Sequence, residues 1–287
     1  MLYPNPQRVT SWLVICPVGA GVPMLGLQGK VAFVFGVASE DSIAWAICEK
    51  LAEAGVTLYL GFQKRFMSRV FQLKEKLPAI AGLYPLDVAS DELTAEFFAA
   101  FAAENPGVKA DILIHAIGFA PRECFDRPII FVEDEQINTA MTISANSLQR
   151  CLRHALPHLN PGSSTITLTY AASTRYVPSY GIMSMAKAAL ECWTRELACH
   201  LGPEGHRINS ISSGPIPTLA AGGIPGFDRI LDHVAANSPL RRNVSQDDVA
   251  GTALWLASHL SSGVTGQCIH VDAGFSITMV PESIMDS

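Results

Sequence analysis

Charge is scarce in this chain. Asp, Glu, Lys and Arg make up 16% of its 287 residues, and they leave a net balance of −6. No run of Lys and Arg with interleaved aromatics is present, so nothing offers a phosphate backbone a continuous track, and nucleic acid is not an expected partner. Beyond the first residues, uninterrupted apolar runs approaching the roughly 18 residues of a bilayer span are missing too, and no membrane association is expected. The nearest imitation, Trp12 to Val22, follows Arg8 as a secretory leader would, but Pro17, Gly19, Gly21 and Pro23 break it and no clear A-x-A site follows. Residues 1–24 are therefore read as an added or misassigned leader, and 25–287 as one folded domain.

Cysteine pairing is also absent. The seven cysteines are odd in number, form no C-x-x-C and lie mostly in apolar stretches, the distribution of buried reduced thiols; the expected compartment is the cytoplasm. His154 and His158 are expected on one helix face, but no Cys, Asp or Glu cluster completes a ligand set, so they are read as surface histidines and no metal is expected. What is abundant is apolar residue, 49% of the chain, enough to bury a substantial core.

From Lys30 onward short apolar runs alternate with amphipathic ones without a polar linker. Strands are expected at 31–36, 56–61, 80–87, 110–118, 164–170, 206–212 and 267–272. Helices are expected at 42–55, 66–77, 91–104, about 134–156, 180–201 and 246–259. Strands apolar on both faces and separated by helices imply a single doubly wound parallel sheet, Rossmann-like and α/β, of about seven strands with helices on both faces. In such sheets ligands sit beyond the carboxyl ends of the strands.

The dinucleotide fingerprint G-x-G-x-x-G is missing there. After the first strand comes GVASEDSIA, in which Gly36 allows a tight turn and Asp41 or Ser42 can cap a helix whose free N–H groups suit a pyrophosphate. An ordinary strand-to-helix turn would look much the same. At the end of the second strand, where an acidic residue would bind both ribose hydroxyls, stands Gln63: the amide permits NADH, while Lys64 and Arg65 leave NADPH open. Asp87 and Val88 could flank an adenine, or Asp87 could cap the next helix. Gly118 in HAIGFAP lets backbone approach a flat ring, and His115 is read as a hydrogen-bonded core histidine.

The spacing Tyr-x-x-x-Lys is missing as well. Lys187 lies in an apolar helix and needs a partner to be buried; Met183 stands one turn back, and Tyr180 two turns back on nearly the same face. The strand, small loop, Tyr and Lys resemble the short-chain dehydrogenase/reductase superfamily. The spacing Y170-x9-Y180-x6-K187 resembles its divergent branch, the NADH-dependent enoyl-[acyl-carrier-protein] reductases of bacterial and plastid fatty-acid synthesis. GVASEDSIA, FQK, LDVA, HAIGFAP, MAKAALE, LGPEGHRIN, SGPIPTLAAGGI and HVDAGFSI resemble that family's segments in the same order, over roughly residues 25–280.

That resemblance implies hydride transfer from NADH to the β-carbon of a trans-2-enoyl thioester carried by acyl carrier protein, in a cytoplasmic homotetramer. It implies Tyr170, Tyr180 and Lys187 as catalytic residues, and Ala120, Tyr170 and Tyr180 against the substrate. Gly36, Ser42, Ile43, Gln63, Asp87, Val88, Ile117, Gly118, Lys187, Ile216, Pro217, Thr218, Leu219 and Ala220 would bind the cofactor. Residues 213–237 would form a lid over the acyl chain; Tyr176 has no counterpart in the family and is read as a packing or rim residue. Two departures stand out: Ala116 where relatives often have Ser, and Pro217 where they often have Arg. The competing readings are a 3-oxoacyl or other carbonyl reductase of the ordinary type, with Thr167 as its upstream hydroxyl, and a catalytically silent dinucleotide-binding regulator.

Overall fold

A computed structural model of the chain describes residues 25–219, 221–223 and 226–280. The expected leader, 1–24, lies outside them, as does Ala220. The elements run β1 (Val31–Phe35), α1 (Ile43–Glu53), β2 (Thr57–Phe62), α2 (Met67–Lys76), β3 (Ile80–Pro85), α3 (Asp91–Glu104) and β4 (Ala110–His115). They continue with α4 (Glu123–Asp126), α5 (Asp134–Met141), α6 (Ser147–Ala155), β5 (Leu159–Thr169), α7 (Ile182–Leu201), β6 (Arg207–Ser213), α8 (Phe227–Asn237), α9 (Gln246–Ala257) and β7 (Cys268–Val271). All seven strands join one parallel sheet in the order β3-β2-β1-β4-β5-β6-β7, so the chain reverses direction across the sheet between β1 and β4.

The two faces bury different residues because successive side chains of a strand point to opposite sides. Ala32 and Val34 of β1 join an aliphatic cluster with Ile47, Leu51, Val249 and Leu256. Phe33 and Phe35 face the other way, into an aromatic cluster with Tyr59, Tyr84, Phe97, Phe98 and Phe101. There Phe33 meets Phe101 edge-on at 4.8 Å, the geometry in which one ring's positive edge meets another's negative face.

The expected fold class is the observed one, with local differences. The helix expected at 134–156 is α5 and α6 joined by a π-helical turn, Thr142–Asn146. The helix expected at 180–201 starts two residues late, because Ser179 and Gly181 both take positive φ, 62° and 48°. Helix α8 lies inside the expected lid. Cys48, Cys124 and Cys151 are buried, but Cys192 and Cys199 lie exposed on the outer face of α7, so an apolar neighbourhood in sequence did not mean burial for them. His154 and His158 do not act together: the first meets Asp91 at 2.7 Å and the second stacks on Phe98. Among the described residues no group of His, Cys, Asp and Glu could hold a metal ion, and no helix is long and apolar enough to cross a membrane.

Candidate active site

The carboxyl ends of β1 to β6 open into a cleft of about 850 Å³. Its floor begins at Gly36, whose φ of 108° and close approach to β4 both demand glycine: a Cβ there would lie 2.0 Å from the carbonyl oxygen of Ala116. The chain then rises into α1. Ser42, rather than Asp41, caps that helix, its Oγ accepting from the Trp45 N–H at 3.2 Å and donating to the Ser39 carbonyl at 2.7 Å. The Ser39 hydroxyl is buried on the cleft wall without a hydrogen-bond partner among the described residues. A glycine cradle, a helix N-terminus and an unmatched hydroxyl fit a dinucleotide's phosphates.

Gln63 ends β2 and lines the cleft, with Arg65 beside it. The Arg65 guanidinium stands over the rings of Phe66 and Phe119, at 4.7 and 5.7 Å from their centroids. Leu86 and Val88 line the next stretch of wall, whereas Asp87 lies off it: its Oδ1 accepts from the Ala89 N–H at 3.0 Å, and Ser90 is the residue that caps α3. Ala116, Ile117, Gly118, Phe119 and Ala120 follow β4 along the cleft. Ser144, on the π-helical turn, anchors that segment by accepting from the Phe119 N–H at 2.8 Å and donating to the Phe119 carbonyl at 2.7 Å.

The opposite wall carries the polar groups. Lys187 is 8% exposed and its Nζ donates to the Leu168 carbonyl at 2.8 Å. Burial pulls its ammonium down to about 8, against the pull of Glu191, which favours the charged form. A Cβ at Gly118 would stand 3.7 Å from Nζ, at ordinary van der Waals distance, so the lysine head lies directly against that stretch of backbone. The rings of Tyr170 and Tyr180 meet edge-to-face at 5.0 Å and 62°. Burial raises both phenols above their ordinary range, Tyr180 most and with a further push from Tyr170, so each holds its proton at neutral pH.

Sequence spacing placed Tyr180 on the helix with Lys187; the structure instead puts it in the turn before α7. Gly181 makes that turn with φ 48°, and a Cβ there would lie 2.8 Å from the Cys124 carbonyl oxygen. Met183, in the first turn of α7, stands behind Gly118, its Cε 3.8 Å from where that Cβ would lie.

The last wall is the segment after β6. Ile216, Thr218 and Leu219 line the cleft with Ala221, Phe227 and Ile230, while Pro217 is exposed and off the lining. Tyr176 is 90% exposed. His115 is fully buried behind the site, with Nδ1 at 2.9 Å from Thr167 Oγ1 and Nε2 at 2.8 Å from Ser147 Oγ, and burial pushes it down to about 3. The Thr167 hydroxyl is thus spent inside the sheet and does not face the cleft. Sequence reasoning missed Ser39, Thr169 and Ser144; only the first carried a local signal, lying inside the glycine turn already singled out.

The family described as Enoyl-(Acyl carrier protein) reductase matches residues 36–276. The enoyl-[acyl-carrier-protein] reductase [NADH] FabI of Synechocystis is 42% identical over 258 residues, 88% of this chain and 99% of that protein. The Escherichia coli protein of the same description is 40% identical, over 89% of this chain and 97% of its own. Among solved structures, the Bacillus cereus enoyl-acyl carrier protein reductase with NADP+ and indole naphthyridinone superposes with a TM-score of 0.86 at 37% identity, covering 90% of this chain and all of that one. The Aquifex aeolicus enzyme gives 0.84 at 36% identity, over 88% and 99%.

Proposed function

Because the chain belongs to the enoyl-[acyl-carrier-protein] reductase family, we propose the following division of labour in its cleft. The reaction is the reduction of a trans-2-enoyl thioester, and bound NADH supplies the hydride to the β-carbon. Negative charge then develops on the thioester oxygen. Tyr180, a phenol held protonated by burial, donates a hydrogen bond to that oxygen, and Tyr170 closes the acyl pocket beside it. Lys187 binds the nicotinamide ribose and keeps the local potential positive, which favours the enolate.

The rest of the assignment follows the cleft wall. Gly36, Ser42, Ile43 and Ser39 hold the pyrophosphate; Gln63 and Val88 bind the adenosine half, with Asp87 at its margin. Ile117, Gly118, Ile216, Thr218 and Leu219 enclose the nicotinamide half. Ala120 touches the acyl chain, and residues 213–237 cover it. Pro217, off the lining, belongs to the same cover. The acyl carrier is a protein, and the working form is a homotetramer in the cytoplasm. The resemblance and membership of the enoyl-[acyl-carrier-protein] reductase family support these assignments.

One observation carries the reading: the edge-to-face pair Tyr170 and Tyr180 lines the same cleft as a buried lysine, Lys187. The ordinary carbonyl-reductase reading loses its upstream hydroxyl, because Thr167 is engaged with His115. The test is loss of NADH absorbance with a dodecenoyl thioester and, separately, a 3-oxoacyl thioester. Oxidation with the first alone is expected. Oxidation with the second alone would replace the proposal by the ordinary reaction, and binding without turnover of either would leave a silent dinucleotide-binding protein.

A further inference from the structure

Behind the cleft lies a buried carboxylate to which no step above gives work. Glu191 is 8% exposed and stands four residues after Lys187 on α7, so the two project from the same face one turn apart. Both are tied to neighbouring residues of β5. Lys187 donates to the Leu168 carbonyl at 2.8 Å, and the Thr169 hydroxyl donates to Glu191 Oε1 at 2.7 Å. Thr169 itself is 3% exposed, lines the cleft and immediately precedes Tyr170. A carboxylate is costly to bury, and here it is placed where it can compensate a buried ammonium.

We propose that Glu191 is a positioning residue for Lys187: clamped by Thr169, it keeps the ammonium charged and aimed at the cofactor. The proposal rests on the reading of Lys187 as a cofactor-binding group. The titratable groups around Lys187 and Glu191 come from several elements. On α7 itself Arg195 follows one turn later; β4 contributes His115, whose neutral form Lys187 favours; the turn after β5 contributes Tyr170, and the turn before α7 contributes Tyr180. From β7 comes the Cys268 thiol, raised chiefly by burial and also influenced by Glu191, Arg195 and the Ser210 hydroxyl. Of the groups influencing Lys187, Glu191 is the one that favours its charged form.

Removing that negative charge lowers the pH at which Lys187 loses its proton. The experiment is NADH affinity, followed by nucleotide fluorescence across neutral to alkaline pH, in the full chain, in E191Q and in E191D. E191Q keeps the shape and an acceptor for Thr169. It is expected to bind NADH within about twofold of the intact protein near neutrality, while its alkaline loss of binding moves about one pH unit lower, equivalent to about tenfold in affinity on that limb. E191D is expected to move the limb in the same direction by less, and it carries the test alone if E191Q does not fold. An affinity loss equal at every pH, with the limb unmoved, would overturn the proposal and leave Glu191 a packing residue. Binding is read without turnover, so a moved limb in a protein that fails to reduce enoyl thioesters would retain this inference and sink the proposed function.

Discussion

Two helices border the cleft and are built differently. Helix α7, behind Lys187 and Tyr180, buries Ile182, Met183, Ala186, Lys187, Leu190, Glu191, Thr194 and Ala198. Helix α8, within the cover, buries Val234. On the α7 side the polar groups are held by hydrogen bonds to β5, and Gly36 lets the backbone after β1 come close to Ala116. On the α8 side, apolar Leu219 is 55% exposed at the cleft's edge. The contrast teaches that the groups proposed to react belong to the sheet's own core, so disturbing them disturbs the fold. The wall proposed to face the acyl chain can be altered at little cost to stability.

Four changes sharpen or break that contrast. Leu190→Ala removes a fully buried α7 side chain that packs in the aromatic cluster; a loss of about 2–5 kcal/mol is expected in denaturant unfolding, along with activity. Acid should come next. His115 titrates at about 3 in the fold and near 6.5 in the unfolded chain, so the unfolded state takes up protons first between those values. Its contribution is complete above about pH 6.5 and drains as pH falls towards 3, costing about 2–3 kcal/mol by about pH 4.5. His115→Gln should flatten the fall in denaturant midpoint over that window.

Gly181→Ala asks an L-residue to adopt φ 48° against the Cys124 carbonyl; about 1–3 kcal/mol is expected to be lost in thermal unfolding, with kcat falling because Tyr180 is displaced. The smallest effect belongs to the cover. Leu219→Ala should change stability by about 0.5 kcal/mol or less while raising KM for long enoyl thioesters more than for short ones. Were Leu219→Ala as damaging to stability as Leu190→Ala, the two walls would not differ in the way described.

Most of the fold was legible because most strands read as short apolar runs and each major helix is amphipathic or ends at Gly or at a polar break. Helix α3 falls at 91–104 as expected, with Ser90 as its cap. The glycine turn, the Tyr and Lys cluster and the segment after β6 were legible from local composition. What stayed hidden depends on contacts between distant residues. Asp87 and Pro217 sit within legible segments yet off the cleft lining, since which side chain of a turn faces inward is set by packing. Tyr180 was placed on a helix because spacing alone does not reveal that Ser179 and Gly181 both take positive φ. Ser144 reaches Phe119 through a π-helical turn for which the periodicity of 134–156 gave no sign. Glu191 reads in sequence as one more polar residue of an amphipathic helix, and only the packing of α7 on β5 brings it to Thr169.

The most direct test of the central claim is the rate of NADH oxidation with dodecenoyl thioester in Tyr180→Phe against the intact chain. The phenyl ring keeps the packing against Tyr170 and removes one donor. The account predicts a folded protein that binds NADH normally and whose kcat is lower by about a hundredfold to a thousandfold, the loss of about 2.7–4 kcal/mol of transition-state stabilisation. An unchanged kcat in a folded Tyr180→Phe protein would contradict it.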